Sequence, residues 1–177
     1  MLKESNTEYK IKLEKDSIMN IGKEHYSLDE GRSLFLKNKL EVGINKIPEF
    51  LDLSKKLEFL EENTILLPGL WESRPEIKRL LERGEEFGCT ERFDLGGVSQ
   101  CHNNVIDKYL SDSEYDIVTG YALSEDGLWR SHSWLMKNSE VYETTESRLK
   151  YFGVVLRDTE RGVIDSELNE IEDFIKN

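Results

Sequence analysis

Cysteine is scarce in this 177-residue sequence, and long apolar runs are absent from it. The two cysteines, Cys89 and Cys101, come without a secretory signal, which predicts a cytoplasmic protein with reduced thiols. A disulfide between the two stays an open alternative. No apolar run approaches the roughly 18 residues that a membrane-spanning helix needs, so we expect no membrane partner.

Basic residues are few relative to acidic ones. The chain has 24 Lys and Arg residues against 36 Asp and Glu residues, a formal net charge of −12. Such a surface repels the phosphates of nucleic acids and of anionic lipids, so neither is an expected partner. No repeat, low-complexity tract or linker divides the sequence. We therefore expect a single domain over residues 1–177, mostly helical over 1–88.

The first half of the chain has mainly helical periodicity. The capping-box spacing of Ser27 and Glu30, and prolines at first-turn positions, indicate where helices begin. The pattern predicts a short strand over about 9–13 and helices over about 28–41, about 48–63 and from 73 to Gly84 or Gly88.

The period changes to two after residue 115, as antiparallel strands require. Short turn sequences separate the alternating runs. We predict strands over 116–123, 128–136, 141–145 and 151–156, followed by a closing amphipathic helix from Asp165 or Ser166. Residues 89–177 thus carry a helix, an antiparallel sheet and a last helix, and the fold class is α+β.

Cys101 lies where a loop turns into a helix. Gly96 and Gly97 allow a tight turn, and Ser99 is the candidate N-cap. Unpaired N–H groups and the helix dipole favour a thiolate in the first turn, and the thiolate is the nucleophile. The apolar face of this helix is predicted from Val105, Ile106, Tyr109 and Leu110.

A thiol nucleophile needs a base, and only three histidines are available. His25 lies far upstream in a polar stretch. His102 directly follows Cys101, and on a helix its side chain is expected to point about 100° away. This leaves His132, on a predicted strand, as the better base.

The hairpin register predicts which group orients His132. If Asn138 and Ser139 are the two central turn residues, His132 and Glu143 lie diagonally on one face of the sheet. Glu143 can then hold the imidazole in the tautomer that accepts a proton from Cys101. The alternative is that His132 and Glu143 are only polar strand residues.

These motifs resemble the papain-like cysteine hydrolase superfamily, and in particular its transglutaminase-like branch. The resemblance rests on a cysteine at the head of a helix, then His132-Ser133-Trp134, then Glu143-Thr144-Thr145. It covers roughly residues 96–145. It implies a papain-like core, with Cys101 as nucleophile, His132 as general base and acid, and Glu143 as orienting acid in a hydrolysis, deamidation or transamidation of an amide or ester.

The sequence departs from the family pattern at several positions. Glu143 stands where aspartate is usual, and no tryptophan follows Cys101. The glutamine that papain-type enzymes place several residues before the cysteine is also absent, with Leu95 near that position. The candidate oxyanion donors are the Cys101 N–H and the side chains of Gln100 and Asn104. Trp129 and Trp134 are candidates for substrate contact, with core packing as the alternative.

Other interpretations are weaker. Zinc ligation by Cys101, His102 and His132 has no supporting CxxC or HxxxH spacing, so we expect no metal and no cofactor. Expected partners are a protein, a peptide or a small amide substrate. The competing hypothesis is a non-catalytic domain of the same fold that uses its acidic surface to bind another protein.

Overall fold

The computed structural model describes residues 30–69, 72–88, 91–93, 95–97 and 99–156. The chain divides into two compact units. The first contains the described residues up to Glu82 together with Leu123–Ser131. The second contains those of Arg83–Ala122 and those from His132 onward. Whether the chain acts as the single domain predicted over 1–177 is not tested by this division and stays a prediction.

The first unit is mostly helical. Its elements are α1 (Glu30–Lys46), α2 (Phe50–Leu60), β1 (Ile65–Leu67) and α3 (Arg74–Arg83). Leu53 and Leu57 are fully buried one turn apart on α2, as the amphipathic pattern requires. The three predicted helices are thus present, although α1 runs five residues beyond the predicted end at 41.

The second unit carries the helix that begins with Cys101. Its elements are β2 (Glu85–Phe87), β3 (Glu91–Phe93), α4 (Cys101–Ser111), β4 (Asp116–Leu123), β5 (Leu128–Lys137), β6 (Glu140–Glu143) and β7 (Lys150–Val155). Strand β5 begins with residues of the first unit and continues into the second from His132. The bounds of β4 to β7 agree closely with the predicted strands, and the α+β class is confirmed.

The strands follow the order β2-β7-β4-β5-β6-β3, and β1 pairs with β5. The prediction of an antiparallel sheet is wrong in part. Strand β1 pairs in parallel with β5, and β3 pairs in parallel with β6, so the pairing is mixed. Both are three-residue strands that reach their partners through long connections containing helices, as parallel pairing demands. Strands this short have too little alternation to be detected in sequence.

The β5–β6 hairpin has the predicted register. Met136 pairs with Val141 and Lys137 with Glu140, which leaves Asn138 and Ser139 as the two turn residues. Their φ values of 54° and 63° are both positive, as a two-residue turn that matches strand twist requires. The register prediction is therefore confirmed.

Two buried clusters form the core of the second unit. One surrounds Trp134 and packs Phe87, Val118, Ala122, Val141 and Tyr151 together. The other joins α4 to the strands through Val105, Ile117, Leu135 and Leu156, with Ile106 and Tyr109 against them. Leu110 is 71 % exposed, so its predicted place on the buried face of α4 is wrong. The apolar face of α4 is exposed to solvent in the last turn of the helix.

Some predictions lie outside the described residues. They are the strand over 9–13, the cap at Ser27, the place of His25, the structure around Cys89 and the helix from Asp165 or Ser166.

Candidate functional site

Cys101 is the first residue of α4 and is a half-buried free thiol. Cys101 thus takes part in no disulfide. Gln100 is the N-cap residue, and its side chain makes no capping hydrogen bond. The prediction that Ser99 caps the helix is wrong, because Ser99 has a φ of 59° and lies one position too early, in the turn before the cap. The sulfur still lies in the first turn, where backbone N–H groups lack helical partners.

Asn104 forms hydrogen bonds both with the loop before Cys101 and with Thr144, the residue that follows Glu143. Its Oδ1 accepts from the Gly97 N–H at 2.9 Å, and its Nδ2 donates to the carbonyls of Gly97 at 2.8 Å and Thr144 at 3.2 Å. The Gly96 N–H donates to the same Thr144 carbonyl at 2.9 Å. A Cβ on Gly96 would lie 2.5 Å from Cγ of Asn104, so this close approach requires glycine.

His132 and Glu143 form a buried pair. Nε2 of His132 lies 2.9 Å from Oε2 of Glu143, and their side chains are 2 % and 0 % exposed. Because a carboxylate can only accept, Nε2 carries the hydrogen and donates it. This fixes the tautomer of neutral His132 and leaves Nδ1 as the nitrogen that can face the Cys101 thiol.

The Glu143 carboxylate accepts four further hydrogen bonds. Oε1 accepts from the Thr144 N–H at 2.8 Å, and from the Thr145 N–H and Oγ1 at 2.9 Å each. Oε2 also accepts from the Tyr151 hydroxyl at 2.9 Å. A carboxylate held by this many donors is kept ionised and in one orientation.

Aromatic rings enclose the pair. The Trp134 ring is stacked beside His132 at a centroid distance of 6.2 Å and an interplanar angle of 21°. Tyr151 lies 6.4 Å from His132 and 4.9 Å from Trp134, centroid to centroid. A Cβ on Gly153 would lie 2.5 Å from Cη2 of Trp134, so the indole occupies the space that a side chain there would fill. Trp134 and Tyr151 thus pack beside the His132 ring, and Glu143 holds its Nε2 through a hydrogen bond.

His102 follows Cys101 on α4 and contacts β5. Its Nδ1 lies 2.7 Å from Oγ of Ser133, and Ser133 in turn donates to Oγ1 of Thr119 at 3.1 Å. Hydrogen bonding and charge from both His102 and His132 lower the pKa of the Cys101 thiol. His102 therefore acts on the sulfur, although helical spacing predicts that its side chain points away. Its contact with Ser133 on β5 is one that helical spacing does not include.

The pKa values of the three groups are coupled. Burial raises the pKa of the Cys101 thiol, but hydrogen bonds and charges of His102 and His132 outweigh this and lower it to about 5. Burial lowers the pKa of His132, but hydrogen bonds with Cys101 and Glu143 raise it to about 8. Burial also opposes ionisation of Glu143, but His132 and the other donors lower its pKa to about 2. Between about pH 5 and pH 8 the favoured state is thiolate, imidazolium and carboxylate.

The other predicted site residues differ in whether they can contact an oxyanion or a substrate. Both amide hydrogens of Asn104 are already donated, which leaves it none for an oxyanion. Gln100 is exposed at the helix start, so its side-chain amide stays a candidate donor to an oxyanion. Trp134 is fully buried beside His132, and Trp129 is fully buried in the first unit, where its Nε1 donates to Thr64. Neither indole offers exposed surface to a substrate.

Sequence reasoning did not find several of the groups that complete the site. Tyr151 lies in a predicted strand, and nothing in its sequence neighbourhood points to Glu143. Ser133 and Thr119 gave no signal, since a hydroxyl on a strand carries none by itself. The backbone N–H groups of Thr144 and Thr145 leave no trace in sequence at all.

Comparisons of the chain with protein-family models, with curated proteins and with solved structures found no match. In the described part of the chain, no helix combines the length and apolar character needed to cross a membrane. Among those same residues, no group of three or more His, Cys, Asp or Glu side chains is arranged to hold a metal ion.

Proposed function

We propose that this protein is a cysteine-dependent acyl-transfer enzyme of papain-like type that acts on an amide or ester. The observation that carries the proposal is the buried His132–Glu143 pair with a thiol at a helix start against it. Burying two ionisable groups costs free energy, which is recovered only when each is well paired. Such an arrangement beside a low-pKa thiol is typical of a site built to activate a nucleophile.

The first half of the reaction is acylation. The Cys101 thiolate attacks the carbonyl carbon and forms a carbon–sulfur bond, while the carbonyl π electrons move to oxygen. When the tetrahedral intermediate collapses, the bond to the leaving amine or alcohol breaks. His132, as imidazolium, gives its proton to that leaving group. The products are a thioester on Cys101 and neutral His132.

The second half is deacylation. His132 accepts a proton from an incoming water or amine, which attacks the thioester carbon. The carbon–sulfur bond breaks, the electron pair returns to sulfur, and the thiolate–imidazolium pair forms again. Water gives hydrolysis or deamidation, and an amine gives transamidation. None of these steps requires a cofactor.

The oxyanion of each intermediate needs donors near the sulfur. The backbone N–H of Cys101 has no helical partner at this position, and Gln100 presents an exposed amide next to it. These two groups are the proposed donors. Asn104 acts instead by fixing the loop that sets their position.

The substrate class proposed is a protein, a peptide or a small amide. The resemblance of His132-Ser133-Trp134 and Glu143-Thr144-Thr145 to the transglutaminase-like branch supports this class. The net charge of −12 favours neutral or basic substrates over nucleic acid. A reactive thiolate of this kind suits a reducing, cytoplasmic setting.

The proposal is tested by thiol reactivity and then by acyl-enzyme formation. Iodoacetamide at about pH 6 should alkylate Cys101 far faster than Cys89, with the site identified by peptide mass spectrometry. Incubation with p-nitrophenyl acetate should then give a burst of p-nitrophenol and an intact mass raised by one acetyl group. Cys101→Ala should abolish both signals, and Cys89→Ser should keep them.

Two thiols of ordinary and equal reactivity, with no acetylated species, would contradict the proposal. That outcome favours the competing hypothesis of a non-catalytic domain that binds another protein through its acidic surface.

A further inference from the structure

The site contains two pairs of residues that are adjacent in sequence. Cys101 and His102 are adjacent at the start of α4, and His132 and Ser133 are adjacent on β5. His132 is held by Glu143, and His102 is held by Ser133. Both imidazoles lower the pKa of the thiol, so each element supplies one imidazole with its own orienting group.

One assignment of hydrogens leaves His102 able to take a proton from the thiol. We assign the single hydroxyl hydrogen of Ser133 to its bond with Thr119. The Ser133 oxygen then accepts from His102, and Nδ1 of His102 carries a hydrogen. Neutral His102 then has its lone pair on Nε2, the nitrogen that is left to face the thiol. In that state Nε2 can only accept a proton.

The two imidazoles differ in what stabilises them once they are protonated. His132 is paired with a buried carboxylate, whereas His102 is paired with a neutral hydroxyl and is exposed to water. Only the imidazolium form of His132 therefore has a buried carboxylate as its counterion. The other titratable groups in contact with this set are Glu143 on β6 and, through Glu143, Tyr151 on β7.

We propose that His102 is a second proton acceptor for the Cys101 thiol, oriented by Ser133, so that the thiolate forms with either imidazole as its counterion. The inference rests on the proposed role of Cys101 as nucleophile. Loss of His132 then weakens thiolate formation without abolishing it, because His102 takes over the proton. When both imidazoles are removed, only the backbone N–H groups and the dipole at the start of α4 still favour the thiolate.

Matched variants separate the two imidazoles. His102→Asn keeps a donor near the position of Nδ1 for Ser133 but removes the group facing sulfur. His132→Gln keeps a donor near the position of Nε2 for Glu143 but accepts no proton. Asn103→Ala changes an exposed neighbour in the same turn and serves as the control. The readout is the pH profile of Cys101 alkylation by iodoacetamide, with circular dichroism to verify folding of each variant.

The expected result is a rise in the apparent pKa of Cys101 of about one pH unit in His102→Asn, a larger rise in His132→Gln, and a further rise in the double variant. Ser133→Ala should shift the profile in the same direction as His102→Asn, and Ser133→Thr should restore it. Asn103→Ala should leave it unchanged.

Two results would overturn the inference. One is a His102→Asn profile that coincides with the wild type, and the other is a double variant identical to His132→Gln. A shift in His102→Asn without any shift in Ser133→Ala would overturn the orienting role of Ser133. Failure of the proposed function is seen separately, as a wild-type pKa near the roughly 8.5 of a free cysteine.

Discussion

Nε2 of His132 and Oε2 of Glu143 are joined by a 2.9 Å hydrogen bond across eleven residues of sequence. The two-residue turn at Asn138 and Ser139 sets the strand register that makes this contact possible. The bond fixes which nitrogen of His132 carries its hydrogen, and therefore which nitrogen is left for Cys101.

Glu143→Gln should raise the apparent pKa of the Cys101 thiol. The substitution keeps the shape and a hydrogen bond but removes the charge that favours imidazolium at His132, so the thiolate loses part of its counterion. We expect a rise of about one pH unit in the alkylation profile. Glu140→Gln, on the same strand but farther from His132, is the control. Equal profiles for wild type and Glu143→Gln would show that Glu143 has only a structural role.

Glu143 should also make stability depend on acid pH. Its pKa is lowered from 4.5 to about 2 in the folded state, so the unfolded chain binds a proton at higher pH than the folded chain does. The stability from ionised Glu143 is therefore fully present above about pH 4.5 and is lost as the pH falls towards about 2. Urea unfolding midpoints across this window should fall less steeply in Glu143→Gln than in the wild type. Parallel curves would contradict this.

Asn104→Ala should loosen the loop before Cys101. It removes the side-chain partners of the Gly97 N–H and carbonyl, at about 0.5–1.5 kcal/mol for each hydrogen bond lost. We expect a lower thermal midpoint and slower acylation of Cys101 by p-nitrophenyl acetate. Asn103→Ala, one position earlier and exposed, should change neither. A stable variant with full acylation would remove the positioning role of Asn104.

Tyr151→Phe should have a smaller effect in the same direction as Glu143→Gln. It removes one of the donors to the carboxylate while keeping the ring against Trp134. With less support for the ionised form, the pKa of Glu143 rises towards its ordinary value, and the pKa of Cys101 rises slightly with it. Tyr142→Phe, on β6 but packed against Tyr115, is the matched control. An alkylation profile shifted equally by both variants would contradict the specific role of Tyr151.

Gly153→Ala should destabilise the fold and disturb His132. The added Cβ would lie 2.5 Å from Cη2 of Trp134 and 2.7 Å from the Thr119 carbonyl, so the indole must move away from its place beside the imidazole. We expect a lower thermal midpoint and an altered pH profile of Cys101 alkylation. Gly88→Ala is the control, since a Cβ there meets nothing within 4 Å. Unchanged behaviour of Gly153→Ala would show that the core repacks without affecting the site.

The sequence by itself determined the longer elements and the pairing of His132 with Glu143. Alternation over β4 and β5 is long enough to distinguish strand from helix, and the turn residues set the register. Because side chains on a strand have a strict period of two, knowing the turn was enough to place both side chains on one face. The helix start at Cys101 was equally visible from the glycines before it and the apolar spacing after it.

Only the tertiary structure decided how the site is completed. The parallel pairing of β1 and β3, the Tyr151 hydroxyl on Glu143 and the clamp made by Asn104 all join residues that are distant in sequence. His102 shows the reason most clearly. Helical geometry predicts that its side chain points away from Cys101, but its hydrogen bond is to Ser133, 31 residues further along the chain. Local periodicity describes the backbone, whereas the contacts of a polar side chain depend on which distant donors and acceptors the fold brings within about 3 Å of it.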